Sequence, residues 1–205
     1  KNRAAAVGFS LIVFFTLVGV FADVIAPYGP VKPDFKALRQ PPSVQHLMGT
    51  DKQGRDIFSR IIHGTRISLA VGFLSQSITL LIGTVVGALA GYYGGKIDTA
   101  LMRITDTLYA FPTMLLLLII MAAFGRGFIN LLVAMSITAW VGSARLVRGQ
   151  VLQLKGQAFV ESANAMGAPA RHIILRHMLP NGIGPLMIML SFGVPPAQTS
   201  AAVHA

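Results

Sequence analysis

A short polar segment between two strongly apolar regions carries the side chains best suited to a specific interaction. Residues 157–180 contain one acid, several small residues, a glycine and a proline at the end. In a membrane chain, polar groups avoid the hydrocarbon, so we expect this segment at the aqueous face, where another protein can bind it. The acid Glu161 and the small residues Ser162 and Ala163 offer a compact surface for that protein, and the segment closes with Gly167 and then Leu179 and Pro180.

The composition indicates that the elements holding this segment lie in a bilayer. Hydrophobic residues make up 54% of the chain and charged residues only 12%, against about 25% charged residues in a typical soluble domain. A soluble fold of 205 residues has too little interior for that much apolar surface. The net charge of +10 comes from Lys and Arg placed between apolar runs, without the basic and aromatic stripe of a nucleic-acid groove, which excludes nucleic acid as a partner.

Apolar runs of bilayer-spanning length predict several transmembrane helices within a single domain, residues 1–205. The predicted spans are residues 4–26, 67–93, 100–124 and 128–147, with an incomplete fifth at 181–194. Proline lacks a backbone N–H, so Pro112 is expected to kink the third span. The predicted fold class is an all-α integral membrane protein with several spans.

Residues 27–66 form a polar segment between the first two predicted spans. Asp51 and Asp56 alternate there with Lys52 and Arg55, which predicts local ion pairs. From Ile57 onward, apolar side chains recur at helical spacing between basic ones, and this pattern predicts an amphipathic helix at the membrane surface. Residues 49–56 form either a solvated turn or a site for docking or gating. The candidate residues of such a site are Gly49, Thr50, Asp51, Gly54, Arg55 and Asp56.

Three glycines in the second predicted span, Gly83, Gly87 and Gly91, lie four residues apart and therefore share one helix face. Small residues at this spacing let another helix approach closely in lipid, so helix packing is favoured over a role in lining a pathway. Asp106 lies near a span end, where solvation at the interface is favoured over proton relay.

No catalytic, cofactor or metal site is predicted. The sequence has no Gly-rich Lys-Ser/Thr loop, so ATP hydrolysis by this chain is not expected. There is no cysteine, and His172 and His177 lie five residues apart, off the spacing that places side chains on one α-helical face.

Two other classes of protein stay open at this stage. An intramembrane, rhomboid-like protease would need a Gly-x-Ser-x-Gly serine, and the nearest candidate, Ser143, lacks the second glycine. A secondary transporter would have buried acids in mid-span and an inverted repeat, and neither pattern is found in the sequence.

The segment from Glu161 to Pro180 resembles the cytoplasmic loop of permease subunits of bacterial ABC importers. Its pattern in that family is Glu-Ala-Ala, three residues, Gly, nine residues, Ile, one residue, Leu-Pro. The matching positions here are Glu161, Ala163, Gly167, Leu179 and Pro180. Ser162 replaces the first alanine, and His177 replaces the isoleucine, as it does in the peptide-importer branch.

Other blocks resemble the dipeptide, oligopeptide and nickel permeases of that family, over about residues 1–190 in order. They are residues 49–56, 59–60, 64–69, 91–95, 111–112 and 145–150. Residues 190–196 resemble a stretch that normally follows the fifth span, so we expect much of that span to be missing and the chain to be truncated at its C-terminus.

The resemblance implies a type I importer permease in the bacterial inner membrane, with residues 27–66 outside and a coupling helix in a cytoplasmic loop, residues 148–180. The implied substrates are di- or oligopeptides. The implied partners are a second permease subunit, two ATP-binding-cassette ATPases that bind ATP and Mg²⁺, an extracytoplasmic substrate-binding protein and membrane lipid. Glu161 would bond to an ATPase groove, Gly167 would permit the turn after the helix, and Leu179 with Pro180 would fix the entry into the next span.

Overall fold

The computed structural model describes residues 3–125, 127–182 and 184. These residues are mainly helical, with one isolated antiparallel bridge between Thr50 and Asp56. The chain forms two compact units, one up to Ala70 and the other from Val71 onward. The helices are α1 (Arg3–Val20), α2 (Ala22–Ile25), α3 (Ile57–Tyr93), α4 (Gly95–Ala110), α5 (Thr113–Phe124), α6 (Phe128–Lys155), α7 (Ala158–Ala165), α8 (Ala170–His172), a π-helical stretch (Ile173–Met178) and α9 (Leu179–Asn181).

The predicted first span, residues 4–26, is divided between α1 and α2. The apolar part of α1, Ala6–Val20, is shorter than a full span, and the helix is interrupted at Phe21, whose ψ is 17°. Backbone hydrogen bonds continue on both sides of this residue, because Phe21 N–H donates to Leu17 and Phe21 C=O accepts from Ile25. The two helices therefore form one hydrogen-bonded segment with a single irregular residue between them.

Helix α3 is continuous for 37 residues and is apolar enough to cross a membrane. It begins at Ile57, about ten residues before the predicted span. The amphipathic segment and the second span are thus one helix, since a helix satisfies its own backbone groups whether water or lipid surrounds it. Asp56 caps its first turn by accepting from Ser59 N–H at 2.7 Å.

The predicted third span, residues 100–124, is broken into α4 and α5. Their axes differ by 85°, so the kink expected at Pro112 is a full break. Helices α3 and α6 are long and apolar enough to cross a bilayer, and the bent pair supplies a third crossing when it is counted as one span.

Helix α6 is the packing centre of the C-terminal unit and runs eight residues beyond the predicted end at 147. Its buried face lies against α5 through Leu132 and Met135, and against α3 and α4 through Trp140 and Ala144. Near its end, Val147 and Val151 enter a cluster with the elements that follow. The incomplete fifth span, 181–194, lies outside the described residues except for Asn181, Gly182 and Gly184.

Candidate functional site

The helix expected in the 148–180 segment is present as α7, and one of its faces is an apolar base. Val160 and Ala163 are 0% and 2% exposed. They pack with Val147 and Val151 of α6 and with Ile173 of the π-helical stretch. Residues three apart share one side of a helix, so this face fixes α7 to the end of α6. Ala163, which the sequence placed on the docking surface, belongs to this buried base.

The opposite face of α7 is exposed and polar. Glu161 and Ser162 are exposed, and the Ser162 hydroxyl donates to the carbonyl of Ala158 at 2.7 Å. Within the described residues, Glu161 forms no ion pair. The carboxylate is therefore free to accept hydrogen bonds from another molecule.

Gly167 ends α7 in a left-handed conformation, with φ of +76°. Its N–H donates to Asn164 C=O at 3.0 Å, and Ala168 N–H donates to Ala163 C=O at 3.1 Å. This pair of bonds is a Schellman closure, in which glycine avoids the strain that a Cβ would bring.

Tyr92, at the end of α3, links α6 to α7 in a way that the sequence did not indicate. Its hydroxyl donates to the Asn164 side-chain oxygen at 3.2 Å, and its carbonyl accepts from Lys155 Nζ at 2.6 Å. These contacts join positions 63 and 72 residues apart, so local pattern carries no signal for them.

The histidine pair corrects the geometric argument made from the sequence. The His172 and His177 rings lie 5.4 Å apart. Because the stretch from Ile173 is π-helical, residues five apart lie one above the other. The same geometry buries both Ile173 and Met178 on the inner side. Among the described residues, no group of three or more potential metal ligands occurs.

Leu179 and Pro180 lie in the final described turn. Leu179 N–H donates to Ile174 C=O, a π-type bond, and Pro180 occupies the first turn of α9, where its missing N–H is tolerated. Their role in fixing the entry into the next span stays a prediction.

The three glycines of α3 lie directly against α6. A Cβ on Gly83 would overlap the Ser143 side chain, and one on Gly87 would overlap Ala144 C=O. A Cβ on Gly91 would lie 2.9 Å from Val151 Cβ, closer than such atoms approach. Ser143, the serine considered for protease chemistry, is thus buried at this helix crossing.

Two ion pairs connect α4 to α6. Arg148 holds both carboxylate oxygens of Asp98 at 2.6 Å. Arg145 donates to Asp106 at 2.6 Å and lies over the Tyr109 ring at 4.3 Å. Asp106 is exposed, as expected for a group near the interface, and it is also paired.

Asp51 is the centre of the polar block in the N-terminal unit. One carboxylate oxygen accepts from the N–H groups of Gln53 and Arg55, and the other accepts from the guanidinium groups of Arg55 at 2.8 Å and Arg60 at 2.7 Å. Desolvation raises its pKa, but the hydrogen bonds from Arg55 and Gln53 and the charge of Arg55 together outweigh it and lower the pKa to about 2. One of the local ion pairs that are possible in this block, Asp51 with Arg55, is present.

Asp56 points inward and pairs with a residue outside the predicted set. His46 Nδ1 lies 3.0 Å from Asp56 Oδ1, and both side chains are buried. Desolvation raises the pKa of Asp56, but hydrogen bonds from Ser59 and His46 prevail and the pKa is lowered. A contact between residues ten apart through a loop is not visible in the spacing.

Gly49, Thr50 and Gly54 fix the turn around these acids. Both glycines have φ near +74°, and a Cβ on Gly54 would overlap the Asp34 carbonyl. The Thr50 hydroxyl donates to Ala37 C=O and accepts from Gln40 N–H at 2.8 Å. Most candidate residues of this block therefore make internal contacts, and a docking or gate role stays a prediction.

These observations define an all-α integral membrane protein with apolar helices that can span the bilayer and a short helix fixed to the end of one of them. Residues 83–203, more than half of the chain, match the family described as binding-protein-dependent transport system inner membrane component. Residues 1–42 match the N-terminal transmembrane domain of oligopeptide transport permease C. The chain belongs to the family of inner-membrane components of binding-protein-dependent transport systems.

Several curated relatives align over nearly all of the chain. It is 39% identical over 197 residues to the dipeptide transport system permease protein DppC of Bacillus subtilis (strain 168), covering 96% of this chain and 62% of the relative. It is 38% identical to the oligopeptide transport system permease protein OppC of the same organism, covering 96% and 65%. It is 42% identical to the glutathione transport system permease protein GsiD of Escherichia coli O6:K15:H31 (strain 536 / UPEC), covering 98% and 67%. The chain spans less than two thirds of the length of the first two.

Proposed function

We propose that this chain is a transmembrane subunit of an ATP-driven importer that moves peptides across the bacterial cytoplasmic membrane. It works with a second permease subunit and an extracytoplasmic substrate-binding protein. Two ATPase subunits bind ATP and Mg²⁺ and carry out hydrolysis, so the chain itself is not an enzyme.

The observation that carries this proposal is the two-faced packing of α7. Its inner face, Val160 and Ala163, is buried against α6, whereas Glu161 and Ser162 project outward. A helix that is rigidly attached on one side and polar on the other is suited to transmit movement from a bound protein. We propose that α7 is the coupling helix and that Glu161 accepts hydrogen bonds from the ATPase.

The connection between α7 and α6 is short and is held by hydrogen bonds. Only Gly156 and Gln157 separate α6 from α7, and Tyr92 bonds to both helices. Packed elements of this kind move as rigid bodies. ATP-driven closure of the ATPase pair would therefore displace α6 together with α7.

Peptides are the substrate class that the similarity supports. The relatives are named for dipeptide, oligopeptide and glutathione transport, and these compounds share an amide-linked backbone. The external segment, residues 27–66, is proposed to face the substrate-binding protein, with Lys52 and Gln53 among its exposed groups.

A test of this proposal compares two charge reversals in the complex purified with its own partner subunits. Glu161→Lys should reduce the ATPase retained by the tagged chain by about tenfold or more, since a loss of about 1.4 kcal/mol gives that factor. Asp34→Lys makes the same charge change at an exposed site in the other unit, and should retain the ATPase fully. Equal retention by both variants would refute the coupling role of α7.

A further inference from the structure

The break between α4 and α5 leaves backbone groups without helical partners. Phe111 (φ −79°, ψ 132°) and Pro112 (φ −58°, ψ 117°) are extended. The last bond of α4 is Phe111 N–H to Leu108 C=O at 3.3 Å, and the first of α5 is Leu116 N–H to Pro112 C=O at 3.1 Å. The groups between them that lose their i,i+4 partners are the carbonyls of Tyr109, Ala110 and Phe111 and the N–H groups of Thr113, Met114 and Leu115.

A cavity of about 510 Å³ lies against this break. One wall is formed by Leu108, Tyr109 and residues 111–113, and the other by Thr138, Ala139, Val141 and Gly142 of α6. The α6 wall lies near the middle of its apolar stretch, residues 128–147. The break therefore lies beside this apolar stretch and within one helical turn of the exposed Arg145–Asp106 pair, whose guanidinium covers the Tyr109 ring at 4.3 Å.

Free backbone groups beside an apolar stretch need polar partners. Each unpaired N–H or C=O in hydrocarbon costs several kcal/mol, so non-helical backbone occurs there only where it is covered by protein or lines a water-filled cavity. Within the described residues the break is open, since Tyr109 and Phe111 are 66% and 54% exposed. The groups are thus available to water or to a polar ligand.

We propose that the break lines the passage for substrate, and that its free carbonyl and N–H groups bind the main chain of an extended peptide. This inference rests on the proposed function and adds the site of contact. A peptide backbone alternates donors and acceptors, and the break offers both within one short segment. The hydroxyls of Tyr109 and Thr113 add polar groups on the same wall, and the cavity volume lies in the range of small-molecule sites.

The test uses the absence of native cysteine. Thr113→Cys lies in the cavity wall, and Ile119→Cys, also exposed on α5, is the control outside it. In the intact complex in cells, a membrane-impermeant cationic methanethiosulfonate should modify position 113 at least about tenfold faster than position 119, because only thiolate in water reacts readily. A mixture of short peptides from a casein hydrolysate should slow labelling at 113 by about threefold, as expected for a site near two-thirds occupancy. Free amino acids at equal mass should not slow it.

The outcomes test separately whether the break lines the passage and whether it binds peptides. If cells with the unsubstituted chain take up the peptides but position 113 labels no faster than 119, the break is covered by lipid or a partner subunit and the passage is refuted. If position 113 labels quickly but the transported peptides give no protection, peptide binding at the break is refuted. If the unsubstituted chain supports no peptide uptake, the proposed function fails and the inference fails with it. Thr138→Cys on the opposite wall replaces Thr113→Cys if that variant does not assemble.

Discussion

Arg148 on α6 donates two hydrogen bonds of 2.6 Å to Asp98 on α4, one to each carboxylate oxygen. A planar guanidinium and a carboxylate match in this geometry, so the pair fixes orientation as well as distance. The second pair between these helices, Arg145 with Asp106, has a single bond and lies further into solvent. The two Arg–Asp ion pairs between the same helices can therefore be compared at two degrees of burial.

Removing the Asp98 carboxylate should destabilise the C-terminal unit more than removing that of Asp106. Asp98→Asn is expected to lower the free energy of unfolding by about 1–2 kcal/mol, because it leaves a partly buried guanidinium without its charged partner. Asp106→Asn should cost about 0.5 kcal/mol or less, as exposed pairs do. Denaturant titration of the detergent-purified protein measures both. An equal or inverted effect would mean that the bidentate pair does not hold α4.

The glycine face of α3 predicts a strong dependence on position. Gly87→Ala should destabilise the α3–α6 crossing by about 1–3 kcal/mol, since its Cβ would overlap the Ala144 carbonyl. Gly149→Ala, also in a helix but with no atom near its Cβ, should be neutral or stabilising by up to about 1 kcal/mol. Thermal unfolding of the two variants side by side is the measurement, and a tolerated Gly87→Ala would contradict the close approach.

Substitutions on the two faces of α7 should differ in their effects on stability. Val160→Ala empties part of the buried base and is expected to cost about 1–3 kcal/mol of stability in the cluster around Ile173. Glu161→Lys changes only an exposed group, and its effect on stability should lie within about 0.5 kcal/mol. Unfolding measurements on both variants, set beside the ATPase retention, show the separation. If Glu161→Lys were the more destabilising change, its carboxylate would have a structural role instead.

Acid should loosen the turn around Asp51. Its pKa is lowered from 3.8 to about 2 in the folded chain, so its carboxylate stabilises the fold fully above the unfolded pKa. That stabilisation is lost as the pH falls through the folded value. The exchange rates of the Gln53 and Arg55 amides, each divided by the intrinsic rate of an unprotected amide at the same pH, should rise as the pH falls from about 4 to about 2. Asp51→Asn should show raised exchange already at neutral pH and little further change, and a parallel profile in both proteins would contradict the assignment.

Single cysteines give the topology directly. Asn164→Cys on α7 should react with an impermeant thiol reagent only from the cytoplasmic side, and Gln53→Cys only from outside. Both positions are exposed. Leu118→Cys on apolar α5 serves as a control that should react slowly from either side. Labelling of position 164 from outside would overturn the proposed coupling role, whatever the ATPase assays gave.

The sequence predicted elements whose signals are local. Glycine at 167 and the small residues before it predict a short helix followed by a turn, and α7 ends there with φ of +76° at Gly167. The apolar runs predict α3 and α6, although α3 begins earlier because polar flanks do not end a helix. Hydropathy indicates whether a segment lies in lipid or in water, whereas the ends of a helix are set by capping groups such as Asp56.

Features that depend on distant contacts were outside the reach of sequence patterns. Proline at 112 predicts a lost hydrogen bond, but the angle of 85° depends on how α4 and α5 pack against α6. The inward turn of Asp56 depends on His46, which lies in another part of the loop. The contact of His172 with His177 requires a wide helical turn, which no spacing rule for α-helices contains.

That wide turn has a consequence for the side chains within it. A π-helical stretch from Ile173 to Met178 holds one more residue than an α-helix would need to reach the same point. If one residue were deleted there, the backbone would rewind to an α-helix that reaches the same point, so the Leu179–Asn181 turn would keep its direction. The single surplus amino acid therefore decides which side chains face inward, as it does for the buried Ile173 and Met178, and leaves the direction of the chain at Pro180 unchanged.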